Sequence, residues 1–181
     1  MIPSLFTFTL LSAAVLLVVG LPLLAFPAKV EPILRGFPRH RATGIATMII
    51  GGGWFLVKIW QLGQSDFGDY KELLLILFGG TLIGSIYYVR DFLAVRGVAI
   101  LILLSANTGL KSAFGLYDIP GRLVLVSILY VFIVAAMVYG VAPYKMRDTI
   151  AWLYAGTLRA RLLGFIFTAM SSGLIVAALQ Y

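Results

Sequence analysis

Few side chains in this sequence have the type and spacing that chemistry requires. The only histidine, His40, lies between Arg39 and Arg41, and there is no cysteine. A multi-histidine or cysteine-ligated metal site, a bis-histidine haem and a thiol nucleophile within this chain are therefore excluded. The sequence contains no serine–histidine–aspartate set and no pair of carboxylates inside an apolar stretch. These observations indicate a protein that is not an enzyme and that has no catalytic residues, metal or cofactor.

One polar cluster lies inside an apolar stretch, where polar groups mark the paths of transported solutes. Ser105, Asn107 and Thr108 form this cluster, and Lys58 lies near the end of another stretch. These four residues are the candidates for a solute site. Two alternatives stay open. The neutral side chains can hydrogen-bond to a neighbouring helix, and the Lys58 ammonium group can reach the membrane surface along its aliphatic stem.

Arginines gather where apolar stretches begin or end. Near anionic lipid phosphates each of them contributes about 1 kcal/mol of binding free energy. The candidate contacts to lipid headgroups are Arg39, Arg41, Arg90, Arg96, Arg147, Arg159 and Arg161. For the two Arg-Asp dipeptides, at Arg90 and Arg147, ion pairing and helix capping are the structural alternative.

The composition indicates which solvent surrounds these residues. Hydrophobic residues make up 61% of the 181 residues, charged residues make up 12%, and the mean hydropathy is +1.03. A soluble domain has about 25% charged residues. This chain has too little polar material to cover a water-exposed surface, and we conclude that it is an integral membrane protein.

Six apolar stretches approach the roughly 20 residues that a helix needs to cross the hydrocarbon layer. We predict spans at residues 5–26, 43–62, 73–89, 92–110, 123–142 and 162–179. The fourth is the weakest, since its uninterrupted core, Gly97–Leu110, is short. The first is expected to be a permanent span, because no basic residue precedes it as in a signal peptide. The predicted fold is all-α: a polytopic six-helix bundle forming one membrane domain over residues 1–181.

The basic residues are distributed unequally between the connections. Ten of the fourteen fall in the odd-numbered connections together with only three of the seven acidic residues, so these connections carry the whole net charge of +7. Basic connections remain in the cytoplasm during membrane insertion. We therefore expect both termini on the outer side of a bacterial-type inner membrane.

The sequence also contains an internal similarity. Residues 39–44 and 159–164 both read R-x-R-x-x-G at the start of a span, and residues 90–94 and 147–151 share R-D-x-[LI]-A. Repeats of this kind indicate a duplicated structural unit. We predict that the bundle consists of two or three similar helical hairpins; the alternative is chance similarity between apolar spans with basic ends.

Small residues spaced four apart predict where spans pack, because helices in lipid associate by close approach. The candidate packing glycines are Gly51, Gly53, Gly80, Gly84, Gly109, Gly140, Gly164 and Gly173. No such spacing was identified in the first span, which is bulky around Val15–Val19. We therefore expect the first span at the edge of the bundle.

The absence of reaction chemistry, the short loops and the small-residue faces favour a non-catalytic function. We expect a structural, assembly or accessory subunit that binds other membrane proteins or a second copy of itself, with anionic lipid on its cytoplasmic side and no nucleic acid partner. The alternative is a small-solute or lipid transporter, or the substrate-binding subunit of one. Its site would lie near the outer half of the fourth span.

Overall fold

The computed structural model describes residues 4–89 and 91–181, and over these residues the chain is helical and contains no strand. The helices are α1 (Leu5–Ala25), α2 (Pro27–Gly36), α3 (Arg41–Trp60), α4 (Lys71–Tyr88), α5 (Leu93–Ala113), α6 (Arg122–Val141), α7 (Tyr144–Leu153) and α8 (Thr157–Ala178). All except α2 and α7 are long and apolar enough to cross a membrane. The prediction of an all-α chain with six helices long and apolar enough to span a membrane is confirmed.

The helix bounds differ from the predicted spans at the basic ends. The fourth span is complete, since α5 continues for 21 residues to Ala113 instead of ending at 110. Helix α8 begins at Thr157 rather than at 162 and includes Arg159 and Arg161 in its first turns. A hydropathy pattern stops at the first charges, whereas a helix continues through them because long basic side chains extend to the membrane surface.

Helix α2 forms in a connection that contains Pro27 and Pro32. Pro27 opens the helix, where a missing N–H costs nothing. The Phe26 carbonyl accepts hydrogen bonds from the Lys29 and Val30 amides at 3.0 and 3.3 Å. Thus α2 starts directly after α1, with Pro27 as its first residue and Pro32 inside it.

The chain forms two compact units, which are described separately. The α1–α8 unit comprises Ser105–Ala135, Arg147–Tyr181 and the described residues up to Arg35. In it, α1 and α8 pack antiparallel along their length. A Cβ on Gly20 would lie 3.0 Å from the Phe167 Cβ, and one on Gly164 would overlap the Leu24 backbone. These glycines therefore allow the two helix backbones to touch.

The prediction that α1 lacks a packing face is wrong. Thr9, Ala13 and Gly20 are buried along one side of α1, while Val15 and Val18 on the other side are 64% and 72% exposed. The helix is therefore two-sided. The three valines of the bulky segment are exposed, whereas Leu16 within it is buried. The spacing of Thr9 and Ala13 provides the small-residue surface that the sequence reading overlooked.

The α3–α4 unit comprises Gly36–Leu104 and Ala136–Met146. Helices α3 and α5 pack in parallel: a Cβ on Gly44 would lie 3.0 Å from the Ala94 amide nitrogen, and one on Gly51 would lie 3.1 Å from Ile100. Helix α4 runs antiparallel to α3, with the Phe55 and Phe78 rings in edge-to-face contact at 5.1 Å.

The predicted packing glycines divide into two groups. Gly51, Gly109, Gly140 and Gly164 each approach a neighbouring helix, whereas a Cβ on Gly53, Gly80, Gly84 or Gly173 would meet no atom within 4 Å. Among the described residues, no neighbouring helix therefore packs closely against the glycines of the second group. Spacing identifies a small-residue face, but which face meets a neighbour depends on how the helices are rotated. For this reason Gly20 and Gly97, which were not singled out, also approach neighbours, as do Gly44 and Gly52.

Candidate functional site

The four predicted solute-site residues lie on α5 and α3. Ser105, Asn107 and Thr108 belong to the α1–α8 unit and Lys58 to the α3–α4 unit. Asn107 and Lys58 are exposed, while Ser105 and Thr108 are half-buried. None of the four lines the cavity that the α3–α4 unit contains.

That cavity has a volume of about 370 Å³, within the range of small-molecule pockets. Three helices of the α3–α4 unit form its walls. The lining residues are Met48, Gly52, Phe55 and Leu56 of α3, Phe78, Thr81, Leu82 and Ser85 of α4, and Ile100, Leu103 and Leu104 of α5. We refer to this space as the α3–α4–α5 cavity.

The sequence creates the cavity by combining close and wide contacts between helices. Gly52 lets α3 approach Leu82, and Gly51 lets it approach α5. Nearby, the rings of Phe55 and Phe78 meet at 5.1 Å. The small side chains of Thr81 and Ser85 on α4 leave the space between these contacts unfilled. No sequence signal used above identifies it, because the space depends on three helices at once.

The walls of the cavity are hydrocarbon and aromatic apart from two hydroxyl groups, those of Thr81 and Ser85. The Thr81 hydroxyl donates a hydrogen bond to the Leu77 carbonyl at 2.8 Å, within its own helix. A polar solute would lose its hydrogen bonds to water here without replacing them. The lining contains no titratable side chain, so the cavity fits a hydrophobic group and offers no general acid or base.

The rim of the cavity lies at the surface of the chain. Phe78 and Leu103 are each 37% exposed, and Thr81 is exposed. These positions lie well inside α4 and α5 rather than at the helix ends.

Two of the predicted headgroup arginines form contacts with other residues of the same chain. The Arg147 guanidinium lies 2.8 Å from the Asp148 carboxylate. Arg159 donates a hydrogen bond to the Trp152 carbonyl at 3.0 Å and lies 4.7 Å from its ring. For Arg147 the structural alternative of an ion pair is thus present. Arg90 lies outside the described residues.

The remaining headgroup candidates keep their charged groups available. Arg39 stacks on the Phe92 ring at 5.8 Å. Arg41 and Arg161 are exposed and Arg96 is half-buried. The ion pairs found in the described part of the chain involve none of these arginines.

A buried polar network in the α1–α8 unit was not anticipated. Ser171, which is fully buried, donates a hydrogen bond to the Ala13 carbonyl at 2.7 Å and so joins α8 to α1. The buried Thr9 hydroxyl donates to the Leu5 carbonyl at 2.7 Å and lies 3.3 Å from the Tyr181 hydroxyl. The network satisfies its own polar groups, which is typical of helix packing in lipid.

Helix α4 has an outward face with regular spacing. No residue of α4 is buried. Leu73, Ile76, Ile83 and Tyr87 are 62%, 74%, 60% and 67% exposed, and with Gly80 they follow the alternating three- and four-residue spacing of a coiled-coil seam. At 3.6 residues per turn this stripe lies opposite the cavity-lining side of α4. The spacing was readable from the sequence, but the exposure of these side chains was not.

Comparison with known proteins adds no assignment. No protein-family model matches this chain, and comparison with curated proteins and with solved structures finds no significant match. Among the described residues, no group of three or more histidine, cysteine, aspartate or glutamate side chains could hold a metal ion.

Proposed function

We propose that this chain is a non-catalytic integral membrane protein, a structural or accessory subunit that binds a helix of another membrane protein through α4. The observation that carries the proposal is the outward stripe of α4, which has coiled-coil spacing and no buried residue. In lipid such a stripe gains nothing from leaving water, so its value lies in fitting another helix.

The centre of the stripe favours helix-to-helix contact. A Cβ on Gly80 would meet no atom within 4 Å, so a partner backbone has room to approach α4 there. Ile76 and Ile83 lie on either side and provide the knobs of a left-handed helix pair. A partner helix of this kind adds van der Waals contacts that fluid lipid tails replace poorly.

The absence of cysteine permits a direct test by cross-linking. The variants Ile76→Cys and Ile83→Cys are expected to cross-link to a partner in native membranes, whereas Thr81→Cys, on the cavity side of the same helix, is not. A product of twice the chain mass would identify a second copy as the partner. Equal cross-linking at all three positions, or none, would reject α4 as the binding face.

Gly80→Leu is expected to dissociate the complex, as seen by native mass spectrometry after nanodisc extraction. Gly173→Leu is the matched control, because Gly173 also meets no neighbour inside the chain but lies on α8. A complex that survives Gly80→Leu unchanged would contradict the proposal.

A second candidate function is lipid or hydrophobic-solute transport, or service as the binding subunit of a transporter. The α3–α4–α5 cavity favours it. The site would lie beside Ile100, Leu103 and Leu104 in the middle of α5, rather than in the outer half that contains Asn107. The apolar walls restrict the cargo to hydrophobic compounds.

The membrane placement and the repeat belong to the same proposal. Both termini face outward and the basic connections face the cytoplasm of a bacterial-type inner membrane. Two similar hairpins with equivalent connections are supported by α2 and α7, which are both 10 residues long. Each begins close to a proline, at Pro27 and Pro143, and each precedes an R-x-R-x-x-G segment.

A further inference from the structure

We propose that the α3–α4 unit binds one anionic phospholipid, with an acyl chain in the α3–α4–α5 cavity and the phosphate at Arg41 and Arg96. This site goes beyond the partner-binding function, since it uses the opposite side of α4. The cavity walls already select a hydrocarbon chain.

Both arginines lie on the faces that line the cavity. Arg96 precedes the lining residue Ile100 by four positions on α5, and Arg41 precedes the lining residue Met48 by seven on α3. Residues at these separations share one side of a helix. Their side chains therefore leave the helices on the cavity side.

The two arginines also lie at the same end of the unit. A Cβ on Gly44, near the start of α3, would lie 3.0 Å from the Ala94 nitrogen at the start of α5. The parallel packing of α3 and α5 thus places two helix N-termini together, where their dipoles favour a negative charge. Two guanidinium groups next to two helix N-termini form an anion site, and a guanidinium fork matches phosphate geometry.

The distances match the length of a lipid tail. At about 1.5 Å per residue, Arg41 lies about 10 Å along the helix axis from Met48 and about 20 Å from Phe55. The hydrocarbon layer is about 30 Å thick, so a tail of one leaflet extends about 15 Å from the headgroup level. A phosphate at the arginines therefore places the tail inside the cavity.

No carboxylate of the described residues forms an ion pair with Arg41 or Arg96. In the described residues the ion pairs are Arg35 with Glu31 and Arg147 with Asp148. Arg41 and Arg96 are in neither pair. Both charges are thus available to a ligand from the surrounding leaflet.

The test uses the full-length protein and two phospholipids with identical tails, phosphatidylglycerol and phosphatidylcholine. Native mass spectrometry of the protein in nanodiscs or mild detergent measures how much of each lipid stays bound. Phosphatidylglycerol is expected to be retained preferentially. Arg41→Gln and Arg96→Gln are each expected to weaken its binding about five-fold, while Arg161→Gln, an exposed arginine at the start of α8, leaves it unchanged.

The tail is tested separately from the headgroup. Ser85→Phe fills the cavity and is expected to abolish retention of phosphatidylglycerol, with helical content and thermal unfolding measured to verify folding. If that variant does not fold, the wild-type protein still decides. A phosphatidylglycerol with tails too short to reach about 10 Å past the arginines should bind weakly.

Three results would overturn the site: equal retention of the two lipids, equal loss with Arg161→Gln and Arg41→Gln, or no dependence on tail length. Binding of a protein helix at α4 would be unaffected by any of them. Failure of the lipid site and failure of the partner interaction are therefore distinguishable.

Discussion

At the scale of single residues, the outcome of a glycine substitution depends on what faces the glycine. Gly164 and Gly173 lie on the same helix, and both were singled out for their spacing. A Cβ would overlap the Leu24 backbone at Gly164 and meet nothing at Gly173. Backbone atoms cannot move aside as the end of a side chain can, so the two positions should respond in opposite directions.

Gly164→Ala is accordingly expected to lower the free energy of unfolding by about 1–3 kcal/mol through overpacking. Gly173→Ala should raise it by about 0.4–1 kcal/mol, because alanine restricts the unfolded chain without a clash. Unfolding of both variants in the same detergent measures this difference. Similar values for the two would mean that α1 and α8 do not pack as described.

Tyr154 has a buried hydroxyl group with no hydrogen-bond partner in the described part of the chain. Burial raises the pKa of its phenol above the ordinary value, the Glu31 carboxylate adds to the increase, and Arg35 opposes it. Above about pH 10 the unfolded chain therefore ionises at this residue before the folded chain does, and the folded state loses stability as the pH rises.

Tyr154→Phe should be neutral or stabilising at pH 8, because it removes an unpaired hydroxyl. It should also reduce the loss of stability between about pH 9 and 11 relative to the wild type. Thermal unfolding over this pH range tests both statements, since the other tyrosines titrate in both proteins. A marked destabilisation at pH 8 would reveal a partner for the hydroxyl.

At the scale of helices, the pairing of α3 with α5 supports the cavity and aligns its arginines. A Cβ added to Gly97 would overlap the Thr47 side chain and would lie 2.9 Å from the Met48 amide nitrogen. A larger side chain at this position has to separate the two helices. The cavity should then change shape even though Gly97 is not among its lining residues.

Gly97→Leu is therefore expected to lower the thermal unfolding temperature and to weaken retention of phosphatidylglycerol, whereas Gly53→Leu on α3, which faces open space, should alter neither. The two variants add the same side chain within the same unit. Thermal unfolding and native mass spectrometry on each provide the comparison. Unchanged lipid retention in a folded Gly97→Leu protein would show that lipid binding does not depend on the close contact between α3 and α5.

At the scale of the whole molecule, an even number of spans and the charge bias predict one orientation. His40→Cys and Arg161→Cys, made separately in this cysteine-free chain, should react with a membrane-impermeant thiol reagent only from the cytoplasmic side. A cysteine inserted directly after Ser4, and the variant Tyr181→Cys, should react only from the outside. Labelling of the two basic connections from different sides would reject the topology and the hairpin hypothesis together.

Composition and hydropathy were enough to identify the all-helical class, the six helices long enough to span a membrane and the distribution of the charges. Transfer into lipid depends on the composition of about 20 consecutive residues, so even the short fourth span was correctly kept. The sequence did not reveal that α1 packs against α8, that α2 is helical, or which glycines meet a neighbour. These features depend on helix rotation and on residues far apart in the chain, such as Ala13 and Ser171.

Tertiary structure alone decided the candidate sites. The polar residues Asn107 and Lys58 attracted attention because they are unusual in an apolar sequence, but both are exposed and neither lines the cavity. The α3–α4–α5 cavity is formed mainly by ordinary leucine, isoleucine and phenylalanine side chains. In the amino-acid sequence such residues cannot be distinguished from lipid-facing ones, because both environments are equally apolar. Only the arrangement of three helices separates a cavity wall from an outer surface.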